Sequence, residues 1–188
     1  MPENTTASQN GARGPFLFDT RPLQRRPGEM RQIQRSVPAP PDLGLPLVGV
    51  PEASPIDLDV RLESVVEGVY ASGSAHAALA GECARCLDPL SLDVEAEFEE
   101  LFYYPEGDIG EDDATLDGDL LDLGPVLRDA IVLELPLSPV CRDDCPGLCS
   151  QCGARLADAG PEHRHETSDP RWAALAGLYD EMTRREEN

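Results

Sequence analysis

Two groups of closely spaced cysteines constrain this chain more than any other feature of its 188 residues. Four of the six cysteines lie between Cys141 and Cys152, and the last of them is followed by Gly153. The other two, Cys83 and Cys86, form a second C-x2-C motif. Two thiolates at this spacing can bind one zinc ion, and a neighbouring glycine allows the tight turn that this requires. In a reducing compartment such clusters indicate metal binding or redox chemistry and not structural disulfides.

Two histidines extend the set of candidate ligands to eight, which is enough for two tetrahedral zinc sites. The favoured pairing joins Cys83 and Cys86 to Cys141 and Cys145, and places Cys149, Cys152, His163 and His165 in a second site. Two other pairings stay open: the four C-terminal cysteines alone, or Cys83 and Cys86 with Cys149 and Cys152. A site filled by four protein ligands leaves no position for water. The sequence therefore predicts one or two structural zinc ions and no catalytic metal.

The charge of the chain is strongly negative and unevenly distributed. The formal net charge is −21, and the segment from Leu87 to Leu127 contains 14 acidic residues and no basic residue. Such a surface repels phosphate, because affinity for nucleic acids comes largely from lysine and arginine. The acidic segment is interpreted as a solvated face. Direct contact with RNA would use the arginines of the N-terminal segment, which are Arg21, Arg25, Arg26, Arg31 and Arg35.

Alternating apolar and polar residues predict an α+β fold built on an antiparallel β-meander. Three runs between residues 56 and 103 alternate in this way, and acidic residues occupy the outward positions of the third run. One or two helices, at 122–135 and 169–180, are expected to pack on this meander. The cysteine-rich C-terminal segment is expected to form a zinc knuckle. The stretch from Pro38 to Pro55 contains six prolines and is predicted to be a loop.

The predicted domain organisation is a single domain at 16–180 between two tails. The tail at 1–15 is polar and expected to be disordered, and the tail at 181–188 is charged. An acidic loop at 104–119 and a Cys/His metal-binding segment at 139–167 complete the domain. The N-terminus has no apolar run, and no segment approaches the roughly 20 apolar residues that a membrane helix needs. A cytoplasmic protein without a membrane partner is therefore expected.

Enzymatic alternatives find little support among the sequence motifs. A thioredoxin-like C-x2-C starts a helix after a strand, whereas Cys83 and Cys86 lie between two predicted strands and are followed by Leu-Asp-Pro. The chain contains no Gly-x-Ser-x-Gly motif and no glycine-rich loop that could bind a phosphate. We therefore predict that the protein is not an enzyme and has no small-molecule substrate.

Several motifs follow one another in a characteristic order along the chain. They are Arg-Arg-Pro27-Gly28-Glu, Gly-Glu-Cys83-Ala-Arg-Cys86-Leu-Asp-Pro-Leu, Phe-Glu-Glu-Leu-Phe102, Ile131-Val-Leu-Glu-Leu-Pro136-Leu, Pro139-Val-Cys141-x3-Cys145-Pro-Gly-Leu-Cys149-x2-Cys152-Gly and Asp169-Pro170-Arg171-Trp172. This combination extends over roughly residues 16 to 179 and resembles the YceD family of large ribosomal RNA subunit accumulation proteins.

The resemblance implies a non-catalytic factor that supports accumulation of large-subunit ribosomal RNA and biogenesis of the large ribosomal subunit. Its partner would be a precursor of that subunit, ribosomal RNA itself, or a basic ribosomal protein that the acidic face would attract. Some family members carry a C-x-C pair where this chain has His163-Arg-His165, which supports these histidines as zinc ligands. Two further classes stay open: a zinc-stabilised protein-interaction module without RNA contact, and a C-x2-C thiol-redox protein.

Overall fold

The computed structural model describes residues 14–106, 109–111, 113–160 and 162–165 of the chain. These residues belong to two compact units, of which the first ends at Asp143 and the second begins at Asp144. The predicted helix at 169–180, the charged tail at 181–188 and nearly all of the predicted N-terminal tail lie outside the described residues. Every helix in the described part is too short or too polar to cross a membrane.

The described part of the first unit consists mainly of β-strands. In chain order its elements are β1 (Leu17–Asp19), β2 (Met30–Pro38), β3 (Gly44–Leu45), β4 (Val48–Gly49), β5 (Pro55–Ser64), β6 (Gly68–Glu82), β7 (Pro89–Tyr103), β8 (Leu120–Asp122) and helix α1 (Gly124–Glu134). A short 3-10 helix at Arg21–Leu23 follows β1. In the second unit the described residues include one short helix, α2 (Leu156–Ala159).

Strands β5, β6 and β7 form the antiparallel meander that the alternating sequence predicts. β6 pairs with β7 along its full 15 residues, from Gly68 opposite Tyr103 to Glu82 opposite Pro89. Apolar residues recur at every second position, so one face of the meander is buried. Its buried side chains include Ile56, Leu58, Val60 and Leu62 of β5, Ala71, Ala75 and Ala77 of β6, and Val94, Ala96 and Phe98 of β7. The mainly antiparallel architecture expected from the sequence is thus confirmed.

Three further strands widen the meander into a six-stranded sheet with the order β2-β5-β6-β4-β3, and β7 pairs with β6. β2 pairs with β5 from Met30 opposite Glu63 to Pro38 opposite Pro55. β3 and β4 come from the proline-rich stretch that the sequence predicts to be a loop, and β4 pairs with the end of β6. Gly81 permits this approach, because a Cβ atom there would overlap the carbonyl oxygen of Leu47. Strands of two residues are too short to show a period, which is why the sequence does not predict them.

Helix α1 packs against β7 and contributes to the same hydrophobic core. Its apolar residues recur at helical spacing, so Leu127 and Ile131 are buried together with Leu135 just after its end. Pro125 lies in the first turn, where its missing N–H removes no helical hydrogen bond. Pro136 follows the helix and prevents its continuation.

A separate two-stranded sheet joins the beginning of the described chain to the residues before α1. β1 pairs with β8 in antiparallel register, with Leu17 opposite Asp122 and Asp19 opposite Leu120. Phe18 and Leu121 are buried at its centre. Just beyond this pairing, the N–H of Leu123 donates to the carbonyl oxygen of Phe16 at 3.1 Å, next to the start of α1.

Candidate metal centres

The first C-x2-C motif forms a tight turn between β6 and β7. The N–H of Leu87 donates to the carbonyl oxygen of Cys83 at 2.9 Å, and the N–H of Cys83 donates to the carbonyl oxygen of Asp88 at 2.8 Å. Leu87 has a φ of 60°, a left-handed conformation that glycine adopts more readily than leucine. Two backbone hydrogen bonds therefore close this turn around the cysteine pair.

The second C-x2-C motif repeats this backbone geometry. The N–H of Gly153 donates to the carbonyl oxygen of Cys149 at 2.8 Å, and the N–H of Cys149 donates to the carbonyl oxygen of Ala154 at 2.8 Å. Gly153 has a φ of 71° and occupies the same position relative to its cysteines as Leu87 does in the first turn. Glycine at position 153 predicts a left-handed conformation, whereas leucine at position 87 does not. The only sequence signal at Leu87 is its place directly after a C-x2-C motif.

Cysteines of the first turn belong to a group of four potential metal ligands. The sulfurs of Cys83, Cys86, Cys141 and Cys145 all lie within 4.8 Å of one another. The sulfurs of Cys86 and Cys141 are 3.8 Å apart, and the N–H of Cys141 donates to the sulfur of Cys83 at 3.4 Å. A tetrahedral zinc ion with Zn–S bonds of about 2.3 Å requires sulfur–sulfur distances of about 3.8 Å. The spacing of these thiols therefore fits zinc.

Hydrogen bonds that do not involve the thiols hold the segment around Cys141 against the first turn. The N–H of Ala84 donates to the carbonyl oxygen of Pro139 at 2.7 Å, and the Arg85 guanidinium donates to that of Asp143 at 3.1 Å. Cys83 is fully buried, whereas Cys141 is exposed. The fold thus brings together two segments that are far apart in sequence, and it does so partly through backbone contacts.

A second group combines two thiols with two imidazoles. The ligand atoms of Cys149, Cys152, His163 and His165 lie within 4.8 Å of one another. Cys152 Sγ is 3.5 Å from His163 Nε2, the two histidine Nε2 atoms are 3.0 Å apart, and their rings are nearly perpendicular at 85°. With Zn–N bonds of about 2.0 Å, a tetrahedral site requires about 3.5 Å between sulfur and nitrogen and about 3.3 Å between nitrogens. This group also fits zinc, with only a small adjustment of the histidines.

Backbone N–H groups favour the thiolate form of the first cysteine in each turn. The N–H groups of Cys86 and Cys141 lower the pKa of Cys83 to about 6. The N–H of Gln151 is the main donor that lowers the pKa of Cys149 to about 6. The thiolate is the form that binds metal, so protons compete weakly with a metal ion for these two sulfurs at neutral pH.

The grouping of the side chains corresponds to one of the three pairings that the sequence leaves open. Cys149 and Cys152 lie with the two histidines and not with Cys83 and Cys86. No sequence signal could decide this grouping, because each C-x2-C motif is compatible with any second pair of ligands. Zinc binding by these eight residues stays a prediction.

The five N-terminal arginines lie in different environments. Arg21 forms an ion pair with Asp19, and its hydrogen bonds are the main cause that lowers the pKa of that carboxyl group. The guanidinium carbon of Arg25 lies 4.5 Å from the centre of the Tyr104 ring. Arg35 is half-buried, and burial lowers its pKa. The remaining two, Arg26 and Arg31, are exposed. RNA binding by these residues stays a prediction.

Replacing Leu87 with glycine should stabilise the metal-loaded protein by up to about 1 kcal/mol. The left-handed conformation costs leucine about 1–2 kcal/mol, and the greater freedom of glycine in the unfolded chain offsets part of the gain. Urea unfolding of the zinc-loaded protein measures this change. As a control, Gly153→Ala at the equivalent position should be destabilising, since it introduces the strain that Leu87→Gly removes. A destabilising Leu87→Gly would show that the exposed leucine side chain contributes to folding.

The segment that contains both C-x2-C motifs matches a known protein family. A family model described as "Large ribosomal RNA subunit accumulation protein YceD" matches residues 71–179, which is more than half of the chain. The chain belongs to the YceD family. This YceD match begins within β6 and includes all eight candidate metal ligands. It therefore covers the whole set of residues from which the two groups are built.

Relatives of this YceD protein occur in mycobacteria and in plants. An uncharacterized protein of Mycobacterium tuberculosis is 45% identical over 178 residues, which cover 91% of this chain and 84% of that protein. A chloroplast protein of Zea mays named large ribosomal RNA subunit accumulation protein YCED homolog 1 is 30% identical over 129 residues, covering 52% and 41%. Its namesake in Arabidopsis thaliana is 29% identical over 66 residues, covering 35% and 21%. No solved structure matches the chain.

Proposed function

We propose that this YceD protein is a non-enzymatic factor that supports accumulation of large-subunit ribosomal RNA and biogenesis of the large ribosomal subunit. The family description and the names of the plant relatives support this role. We place the protein in the bacterial cytoplasm. There it acts on a precursor of the large subunit, with a basic ribosomal protein as its direct partner.

The two closed groups of thiol and imidazole donors are the observation that supports a structural and non-enzymatic role. Cys83, Cys86, Cys141 and Cys145 would hold one zinc ion, and Cys149, Cys152, His163 and His165 would hold a second. A bound zinc ion supplies a cross-link between the segments that carry its ligands. Four protein ligands leave no coordination position for water or substrate, so a catalytic role of either ion is not expected.

We expect two zinc ions per chain, measured by native mass spectrometry with and without a chelator. Cys149→Ser should reduce the content to one ion, because it removes a ligand from the second group and leaves the first complete. Ser150→Ala, an exposed neighbour in the same turn, is the matched control and should retain both. A single ion in the unaltered protein would contradict the assignment of eight ligands. A folded protein with free thiols and no zinc would favour the thiol-redox alternative.

A protein partner agrees better with the charge of the sheet than a direct RNA contact. The outward positions of β7 carry Asp93, Glu95, Glu97 and Glu99, all of them exposed. Carboxylates at this density repel phosphate and attract basic proteins. We therefore expect no binding of purified large-subunit ribosomal RNA at moderate salt. RNA binding that persists at moderate salt and is lost in the variants Arg26→Gln and Arg31→Gln would instead establish direct RNA recognition.

Complementation tests the proposed function in cells. A Mycobacterium tuberculosis relative covers most of this chain, so a mycobacterial strain that lacks the homologous protein is a suitable host. We expect the strain to show a lowered ratio of large-subunit to small-subunit ribosomal RNA, and this chain to restore it. Variants that lose a zinc ligand should restore it less than Ser150→Ala does. An unchanged RNA ratio in the deletion strain would contradict the proposal.

A further inference from the structure

Strand β7 forms one edge of the six-stranded sheet. Its 15 residues pair with β6 on one side. Within the described residues, the positions from Pro89 to Phe102 make no other backbone hydrogen bonds, and only Tyr103 is bonded on the opposite side. Unpaired edges of this length are templates for the addition of another strand.

The pairing with β6 determines which backbone groups of β7 point away from the sheet. The N–H of Tyr104 donates to the carbonyl oxygen of Glu67 at 3.0 Å. Glu67 and Tyr104 follow the last pair of the ladder, Gly68 and Tyr103, and are therefore a hydrogen-bonded pair. In an antiparallel ladder, hydrogen-bonded and non-hydrogen-bonded pairs alternate. The residues whose N–H and C=O groups point outward are therefore Ser91, Asp93, Glu95, Glu97, Glu99, Leu101 and Tyr103.

The chain itself already uses the last of these outward positions. The N–H of Tyr103 donates to the carbonyl oxygen of Ala114 at 2.8 Å, and its carbonyl oxygen accepts from the N–H of Leu116 at 3.0 Å. Tyr103 and Thr115 thereby form an isolated parallel bridge. The assignment of outward groups is thus consistent at Tyr103, where the edge bonds a neighbouring segment of the described chain.

The outward backbone groups and the acidic side chains belong to the same residues. Asp93, Glu95, Glu97 and Glu99 are exposed on the face opposite the core, and Tyr70 donates to Glu99 at 2.7 Å. The opposite edge of the sheet, β2, carries glutamine and arginine along its length. A basic segment is therefore attracted to β7 and not to β2.

We propose that an extended segment rich in arginine and lysine, from a partner protein, adds to β7 as a further strand. Its backbone would pair with the outward groups between Asp93 and Leu101. Alternate basic side chains would lie on the outer face beside the carboxylates, and main-chain hydrogen bonds would supply affinity without a deep pocket. This inference rests on the proposed role as a factor with a basic protein partner, and it specifies the surface and the mode of binding.

Peptide binding to the full chain tests strand addition directly. The probe is an acetylated peptide of alternating arginine and threonine, and its control is the same peptide N-methylated at alternate residues on the edge that would face β7. Methylation keeps every charge but removes the N–H donors, so it should weaken binding about tenfold or more. Hydrogen exchange should slow at the amides of Asp93, Glu95 and Glu97 when the unmodified peptide binds.

Two variants at one position separate backbone pairing from charge. Glu97→Pro removes one outward N–H without breaking the ladder to β6, and it should reduce the difference in affinity between the two peptides. Glu97→Gln removes the charge but keeps the N–H, so the difference should persist at lower overall affinity. If Glu97→Pro does not fold, the comparison of the two peptides with the unaltered protein still decides the question.

Equal binding of both peptides, absent protection of the edge amides, or no binding at low salt would each overturn strand addition. The carboxylates would then serve only to keep copies of the sheet from pairing with one another. None of these outcomes affects the ribosomal RNA ratio in the complemented strain. Failure of this surface can therefore be distinguished from failure of the proposed function.

Discussion

Cys83→Ser is expected to remove one zinc ion per chain and to lower the free energy of unfolding by more than about 3 kcal/mol. The sulfur of Cys83 is fully buried, lies in the group of four thiols and accepts the N–H of Cys141 at 3.4 Å. A serine hydroxyl remains protonated at neutral pH and is a poor zinc ligand, so the other three thiols would lose their common ion. Native mass spectrometry reports the zinc content, and urea unfolding reports the stability.

Ala84→Ser is the matched control for this prediction. It introduces the same hydroxyl group one residue further along the same turn and keeps all four sulfurs. We expect it to retain both zinc ions and to change the free energy of unfolding by no more than about 0.5 kcal/mol. If Cys83→Ser also retains both ions, Cys83 is not a ligand and the first group must be assigned differently.

Gly73→Ala is expected to destabilise the sheet by more than about 3 kcal/mol. Gly73 lies in β6 between Val60 of β5 and Phe98 of β7. A Cβ atom at this position would overlap the carbonyl oxygen of Asp59 and lie 3.1 Å from Phe98 Cζ. Because the first obstacle is backbone, the methyl group can be accommodated only by moving β5 away from β6, which disturbs their ladder.

Ser74→Ala provides the comparison for Gly73→Ala. The two residues are adjacent in β6, but Ser74 belongs to the opposite face of the sheet, where Asp59 and Glu97 are its cross-strand neighbours. Its replacement should change the free energy of unfolding by no more than about 0.5 kcal/mol in the same urea experiment. Similar values for the two variants would mean that the strands adjust to a side chain at Gly73 without loss of packing.

The central strands could be predicted from the sequence because each of them has one buried face and one face toward solvent. In β5, Ile56, Leu58, Val60 and Leu62 are buried while the residues between them are not, and the order of apolar and polar residues alone reveals this alternation. The same holds for Val94, Ala96 and Phe98 in β7. Helix α1 is recognisable for a similar reason, since its buried residues recur at the helical period.

The short and distant pairings could not be predicted in this way. β1 and β8 have three residues each and pair across most of the first unit, and neither is long enough to show a period. Leu116 lies within the predicted acidic loop, yet it is buried and bonded to Tyr103. Because its neighbours are acidic, the mean hydropathy of a sequence window around such a residue does not indicate that it is buried.

The candidate metal ligands illustrate the same limit at the level of single side chains. Residue type and spacing identify all eight, because closely spaced cysteines and histidines in a reducing environment indicate metal binding. The path of the chain after Pro136 determines which four of these residues share one site. No local sequence pattern predicts that path. The left-handed conformation of Leu87 is also hidden, since leucine rarely adopts it.

The long sequence separation between Cys83 and Cys141 has a consequence for the unfolded state. These residues are 58 positions apart, and a zinc ion that binds both would close a loop containing β7, β8 and α1. In the chain-entropy treatment of cross-links, closing a loop of this length removes conformational freedom worth about 4 kcal/mol from the unfolded chain. A disulfide gives this constraint only under oxidising conditions, whereas zinc binds reduced thiols. The chain would thus have the restraint of a disulfide-stabilised domain without any oxidation of its cysteines.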